Sequence, residues 1–371
     1  MMPICHMRRA MSTVATSLGK SRHRRIVSVE TEIYSPRMNN DIYYRGYSLR
    51  ELTKKCSVME VAHLLIKGNI PSGNELPVFG KGIHGAGAAI SHLSNKLKEI
   101  IPSNAHVVDA VTAGLSMINA TADTSVPVSV EGLLGECLSL ISGWACASSI
   151  SEVGPDNVIP EMLSRAVCQQ PWEKLEEETK HLLNTIAILY MEHGLTNSSY
   201  AARLCISEGG TPYSAIITAA STHRSCMPMF SWSSFDHFIA SFASEKQQIV
   251  ATLKEGGLLP KPFRDFVLPD SDPRTEVLLE HCNAGIVDNI KEIEECFEGR
   301  CHLRFDVFVY SIFKSISQSQ SDDTIKCLRS MLMIPRIVGW ISHIAEQQKI
   351  KRHIEHLAAY VGPHPRMVEG K

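Results

Sequence analysis

Apolar positions recur every three to four residues over most of the chain, the spacing of helices that bury one face. Tyr43 to Ser72 carries such a stripe in Leu52, Val58, Val61, Leu64 and Leu65, closed by Gly68 and Pro71. Residues 105–120, 129–145 and 172–191 also read as helices, and the first two are apolar on most faces. Helices of that kind pack inside an all-α core. Ser148 to Pro160 is rich in Ser, Gly and Pro and predicts a loop. A loose alternation over Ile26 to Tyr34 predicts a short strand. Gly85-Ala86-Gly87 is not a dinucleotide fingerprint, because no strand precedes it and the third glycine position is Ile90. It is expected to be a loop. Pro335 is expected to open or kink a helix whose stripe is Ile337, Ile341 and Ile344.

The stretch Leu182 to Arg203 holds the densest candidate chemistry. Leu182, Ile186, Leu189 and His193 fall on one helical face, which puts His193 on the buried side at the far end. Gly194 and Asn197-Ser198-Ser199 then break the pattern, and Ser198 or Ser199 is a candidate cap for a second helix from Tyr200. A histidine, an amide and two hydroxyls therefore gather where two helices meet. Such a corner either holds a small oxygen-rich ligand or is a core histidine beside a capped loop.

Composition narrows the class. The 371 residues are 44% hydrophobic and 20% charged, a soluble globular profile with room for one large or two ordinary domains. A net charge of -2 offers nothing to nucleic acid or an anionic membrane surface. Glu131 and Glu136 interrupt the most apolar region, so no membrane span is expected. The 11 cysteines are scattered and contain no Cys-x-x-Cys, which reads as reduced thiols in an intracellular protein and not as a metal site. Met1 to Arg25 has no acidic residue and several arginines. It is expected to be a disordered basic leader, either a mitochondrial presequence or a segment without an address.

Several stretches together resemble the citrate synthase family, which includes the 2-methylcitrate synthases. Glu192-His193 with Asn197 and Ser199 is similar to its substrate-histidine segment. Tyr43 to Ser72, Ile101 to Met117, SDPR (Ser271 to Arg274) and RIVGWISHIAEQ (Arg336 to Gln347) resemble further blocks in the family's order. The similarity runs from about Glu30 to Gly362. It implies an all-α fold with a large domain (26–221 and 331–371), a smaller domain (222–330) that closes over substrate, and a homodimer. It also implies a cytoplasmic or mitochondrial-matrix protein that condenses an acyl-CoA with a 2-oxo acid such as oxaloacetate. No permanently bound cofactor is expected; acyl-CoA is the co-substrate.

In that reaction a carboxylate removes a proton from the acyl methyl group while donors stabilise charge on oxygen, and arginines grip the dicarboxylate in pairs of hydrogen bonds. The resemblance makes Asp306 in RFDVFVY the candidate base, although Arg304 stands where the family has asparagine. Asp306 is otherwise an ordinary aspartate at the end of an element. His193, Asn197, Arg274 and Arg336 are the implied substrate contacts. The loops that carry the family's two catalytic histidines correspond to Cys226 to Ser234 and Leu259 to Val267. There Phe230 and Phe263 occupy the histidine positions, with Arg264 following as a candidate CoA contact. Lys261 and Pro262 replace glycines that let backbone approach CoA. Phenylalanine cannot donate a hydrogen bond, so the implied condensation is weakened or altered. The alternative is a non-catalytic paralogue that binds a di- or tricarboxylate or pairs with an active subunit.

Overall fold

The computed structural model describes residues 29–38, 41–123, 125–146, 149–226, 272–282, 302–316 and 322–354, with a few short pieces between 247 and 295. The basic leader, Phe230, Phe263 and Arg264 lie outside the described residues.

A small antiparallel sheet opens the described chain: β1 (Tyr34–Met38), β2 (Asp41–Tyr44) and β3 (Tyr47–Ser48), in that order. The strand therefore starts where the alternating segment ends. The stripe over Tyr43 to Ser72 becomes two helices, α1 (Leu49–Lys55) and α2 (Val58–Lys67). Ser57 divides them: its side chain and Glu60 form a reciprocal capping box that starts α2. Gly68 ends α2 in the left-handed conformation.

Next come α3 (Glu75–Ala89), α4 (Ser91–Ile100), α5 (Val107–Thr121) and α6 (Val130–Ile141), the last continuing as one π-turn, Ser142–Cys146. The loop expected at Gly85 to Gly87 is thus a correction: it lies within α3. Gly87 serves helix packing, since a Cβ there would fall 2.6 Å from the Gly135 carbonyl oxygen of α6, whereas a Cβ on Gly85 would meet nothing. The expected loop over 148–160 contains two single 3-10 turns before α7 (Val158–Cys168).

The chain continues through α8 (Glu177–Met191), α9 (Asn197–Ser207) and α10 (Pro212–Cys226). A two-stranded pair, β4 (Val267–Leu268) with β5 (His302–Leu303), flanks α11 (Pro273–Leu279) and leads into α12 (Phe305–Ile316). The final helix, α13 (Asp322–Ile350), passes through Pro335 and through the expected junction at residue 331 without a break. Pro335 therefore does not open a helix, and Arg336 is an interior residue of one. Helix α13 packs against α2, α6, α7, α8, α9 and α10, so it runs through the apolar core with Ile337, Ile341 and Ile344 fully buried. The fold is all-α, as expected. Among the described residues no helix is long and apolar enough to cross a membrane, and Cys56, Cys137, Cys168, Cys205 and Cys282 are free thiols.

Candidate active site

The end of α8 is fixed before any ligand is considered. Tyr44 of β2 donates its hydroxyl proton to backbone carbonyls there (Ile188 O at 3.0 Å, Glu192 O at 2.5 Å) and accepts from the Glu192 N–H at 3.1 Å. Beyond Met191 the Glu192 carboxylate accepts from the N–H groups of His193 and Gly194, at 3.0 and 2.9 Å. Thr196, and neither Ser198 nor Ser199, caps α9 by accepting from the Ser199 N–H. Helix α13 then crosses this corner in backbone contact: a Cβ on Gly339 would sit 2.1 Å from the Met191 carbonyl oxygen.

That close crossing delivers Arg336. Its Nη1 donates to Met191 O (2.8 Å) and His193 Nδ1 (3.2 Å), and its Nη2 to the hydroxyls of Ser199 (3.1 Å) and Thr196 (3.4 Å). Glu192 Oε2 lies 3.7 Å from Nη1 and 3.2 Å from His343 Nε2. Burial opposes the charge on Glu192, but Arg336 and His343 hold it below the usual carboxylate range. Arg336 is itself 0% exposed, and its burial lowers its basicity against the pull of Glu192. An acidic side chain, Glu192, thus accompanies the buried Arg336.

Burial, then the charges of Arg274 and Arg336, push the His193 imidazole well below its ordinary pKa, so it is neutral near pH 7. A guanidinium only donates, so Nδ1 must be the accepting nitrogen. The proton therefore sits on Nε2.

A second group faces this corner. Asp272 caps α11 by accepting from the Arg274 N–H at 3.0 Å. The same carboxylate grips one edge of the Arg274 guanidinium, with Nε at 3.1 Å and Nη2 at 2.7 Å. The guanidinium lies over the Phe305 ring, 4.3 Å from its centroid. Asp306 follows in the first turn of α12, where the helix field favours an anion. Tyr190 of α8 donates its hydroxyl to Asp306 Oδ1, and Arg304 stands 3.6 Å from Oδ2. Burial opposes the charge on Arg274, but Asp272 and then Asp306 strengthen its proton affinity.

Comparison with known proteins decides the family. The model of the citrate synthase C-terminal domain matches residues 22–356. The chain belongs to the citrate synthase family. It is 24% identical over 345 residues to a 2-methylcitrate synthase of Shewanella oneidensis, covering 88% of this chain and 90% of that one. The crystal structure of a Thermotoga maritima citrate synthase superposes with a TM-score of 0.69 at 20% identity, over 92% of this chain and 95% of that one. A Thermoplasma acidophilum citrate synthase, solved with carboxymethyl coenzyme A and oxaloacetate, gives 0.66 at 17% identity, over 93% and 97%.

Within this citrate synthase fold, four of the residues singled out from the sequence come together: His193, Arg274, Arg336 and Asp306. Asn197 does not join them. It is exposed as the first residue of α9, and the hydroxyls of Thr196 and Ser199 meet Arg336 instead. Sequence reasoning missed Glu192, Tyr190 and Asp272, although Glu192 and Asp272 lie one and two residues from chosen ones. The site also holds polar nitrogens without a partner. Arg274 Nη1, Arg304 Nε, Arg336 Nε and His223 Nε2 are buried and have no acceptor among the described residues.

Proposed function

We propose that this protein binds a di- or tricarboxylate of the oxaloacetate type and condenses it with an acyl-CoA far more slowly than an intact citrate synthase site would allow. The observation that carries the reading is the set of buried N–H groups on Arg274 and Arg336 without acceptors, beside a neutral His193. A buried donor left unpaired costs about 1–3 kcal/mol, which a carboxylate oxygen would recover. Two such guanidiniums suit a ligand with two carboxylates. Arg274, Arg304 and Asp306 come from the segment assigned to the smaller domain and His193 from the larger one, so domain closure would complete the site. Assembly as a homodimer is part of the same proposal.

A purely non-catalytic role as a carboxylate-binding paralogue is the second reading. It is favoured by Asp306, the candidate base, being engaged on one side by Tyr190 and approached on the other by Arg304. Titration calorimetry with citrate tests the binding claim common to both. Arg274→Gln removes charged hydrogen bonds worth about 1.5–3 kcal/mol, so binding should weaken roughly ten- to a hundredfold. Wild-type protein that gives no heat at millimolar citrate, or an Arg274→Gln variant that binds as the wild type does, would remove the reading.

A further inference from the structure

His223 falls outside the blocks that carry the family resemblance, yet the fold brings it to the site. It lies in the last turn of α10, a helix that packs against α13. Its ring meets Trp340 edge to face, with centroids 5.4 Å apart. Trp340 is one turn along α13 from Arg336, whose guanidinium lies 5.9 Å from the centroid of that ring. Trp340 is itself fixed, donating its indole N–H to Ser198 at 3.1 Å. His223 therefore stands against an indole ring that also lies beside Arg336.

Its Nε2 is buried and meets no partner among the described residues. A buried imidazole nitrogen is normally satisfied by protein or water. Nothing about packing against Trp340 requires a histidine; leucine or phenylalanine would fill the space without leaving a polar atom unpaired. Burial, then the charges of Arg336 and His106, push its pKa down to about 3, so the ring is neutral and offers one N–H. The two rings are also near enough that a charge on His223 would lower the basicity of His193.

We propose that His223 is a ligand-contacting residue of this site: its Nε2–H donates to an oxygen of the bound carboxylate, adding a second neutral imidazole beside that of His193. The assignment rests on the carboxylate reading above and adds a residue to it. The contact comes from α10 and does not depend on the Cys226 to Ser234 loop, where the family resemblance finds no histidine.

Two measurements on the full-length protein separate this from a packing role. The first follows the ring nitrogens of His223 by ¹⁵N NMR as citrate is added, with a His223→Gln spectrum for assignment. The second compares citrate affinity for wild type, His223→Phe and His223→Gln. Expected are a shift of the His223 nitrogen signals at saturation and binding weaker by about ten- to a hundredfold in His223→Phe. His223→Gln, which keeps an N–H donor, should retain most of the affinity. If wild type binds citrate while the His223 signals stay still and His223→Phe binds equally well, His223 is a packing residue and only this proposal fails. If wild type binds no citrate, both readings fall.

Discussion

At the scale of single residues, the site combines two buried guanidiniums with imidazoles held neutral. Arg274 is oriented by Asp272 along one edge and by Phe305 beneath, so its remaining nitrogen is aimed without freedom to search. Arg336 is committed mainly to protein acceptors and acts first as the clamp on His193, Thr196 and Ser199. The neutral histidines have a measurable consequence. In the unfolded chain an imidazole takes up a proton near pH 6.5. In the folded protein His193 resists to well below that value and His223 to about 3. Between pH 6.5 and about 3 the unfolded state therefore binds more protons, so stability falls as the pH falls through that window. Urea midpoints measured from pH 7 to pH 4 should drop, and His223→Phe should lessen the drop. An identical pH slope in that variant would show that His223 is protonated normally in the fold.

At the scale of elements, the crossing of α13 over the end of α8 assembles the His193 corner. Gly339→Ala puts a methyl group against the Met191 carbonyl oxygen and, at 2.8 Å, against Glu192 Oε2. Overpacking of this kind typically costs about 1–3 kcal/mol. Chemical denaturation should show a lower midpoint and calorimetry a weaker citrate affinity, because Arg336 moves with the helix. Unchanged stability would mean that the crossing is looser than described. Elements were the most legible level in the sequence. The apolar runs of α5 and α6 read correctly as helices, while the helix expected over 172–191 divides into a 3-10 turn, Trp172–Lys174, and α8 from Glu177. Gly85 to Gly87 read wrongly as a loop; at Gly87 the cause is a close helix-to-helix approach against Gly135, a tertiary cause that no local pattern carries. Pro335 does not open a helix but lies inside one: the core around α13 holds the helix together across a residue that removes one of its hydrogen bonds. At the site, His193, Arg274, Arg336 and Asp306 were legible through resemblance. The grip of Asp272, the clamp on Glu192 and the approach of His223 were not, since they depend on which side chains meet.

At the scale of the molecule, the chain has a citrate synthase fold that brings His193, Arg274, Arg336 and Asp306 together, and the resemblance puts Phe230 and Phe263 where the family has its catalytic histidines. Phe230 and Phe263 lie outside the described residues, and their weight comes from chemistry alone. Loss of one oxyanion donor typically costs about a hundred- to a thousandfold in rate. The decisive measurement is thiol release from acetyl-CoA and propionyl-CoA with oxaloacetate, run on the wild type and on Phe230→His with Phe263→His. The wild type should show at most a trace of turnover, and the double variant a rise that stops short of full activity because Lys261 and Pro262 remain in place of glycines. Ordinary enzymatic turnover by the wild type would contradict the account and show that another group, already in place, supplies the missing proton donor.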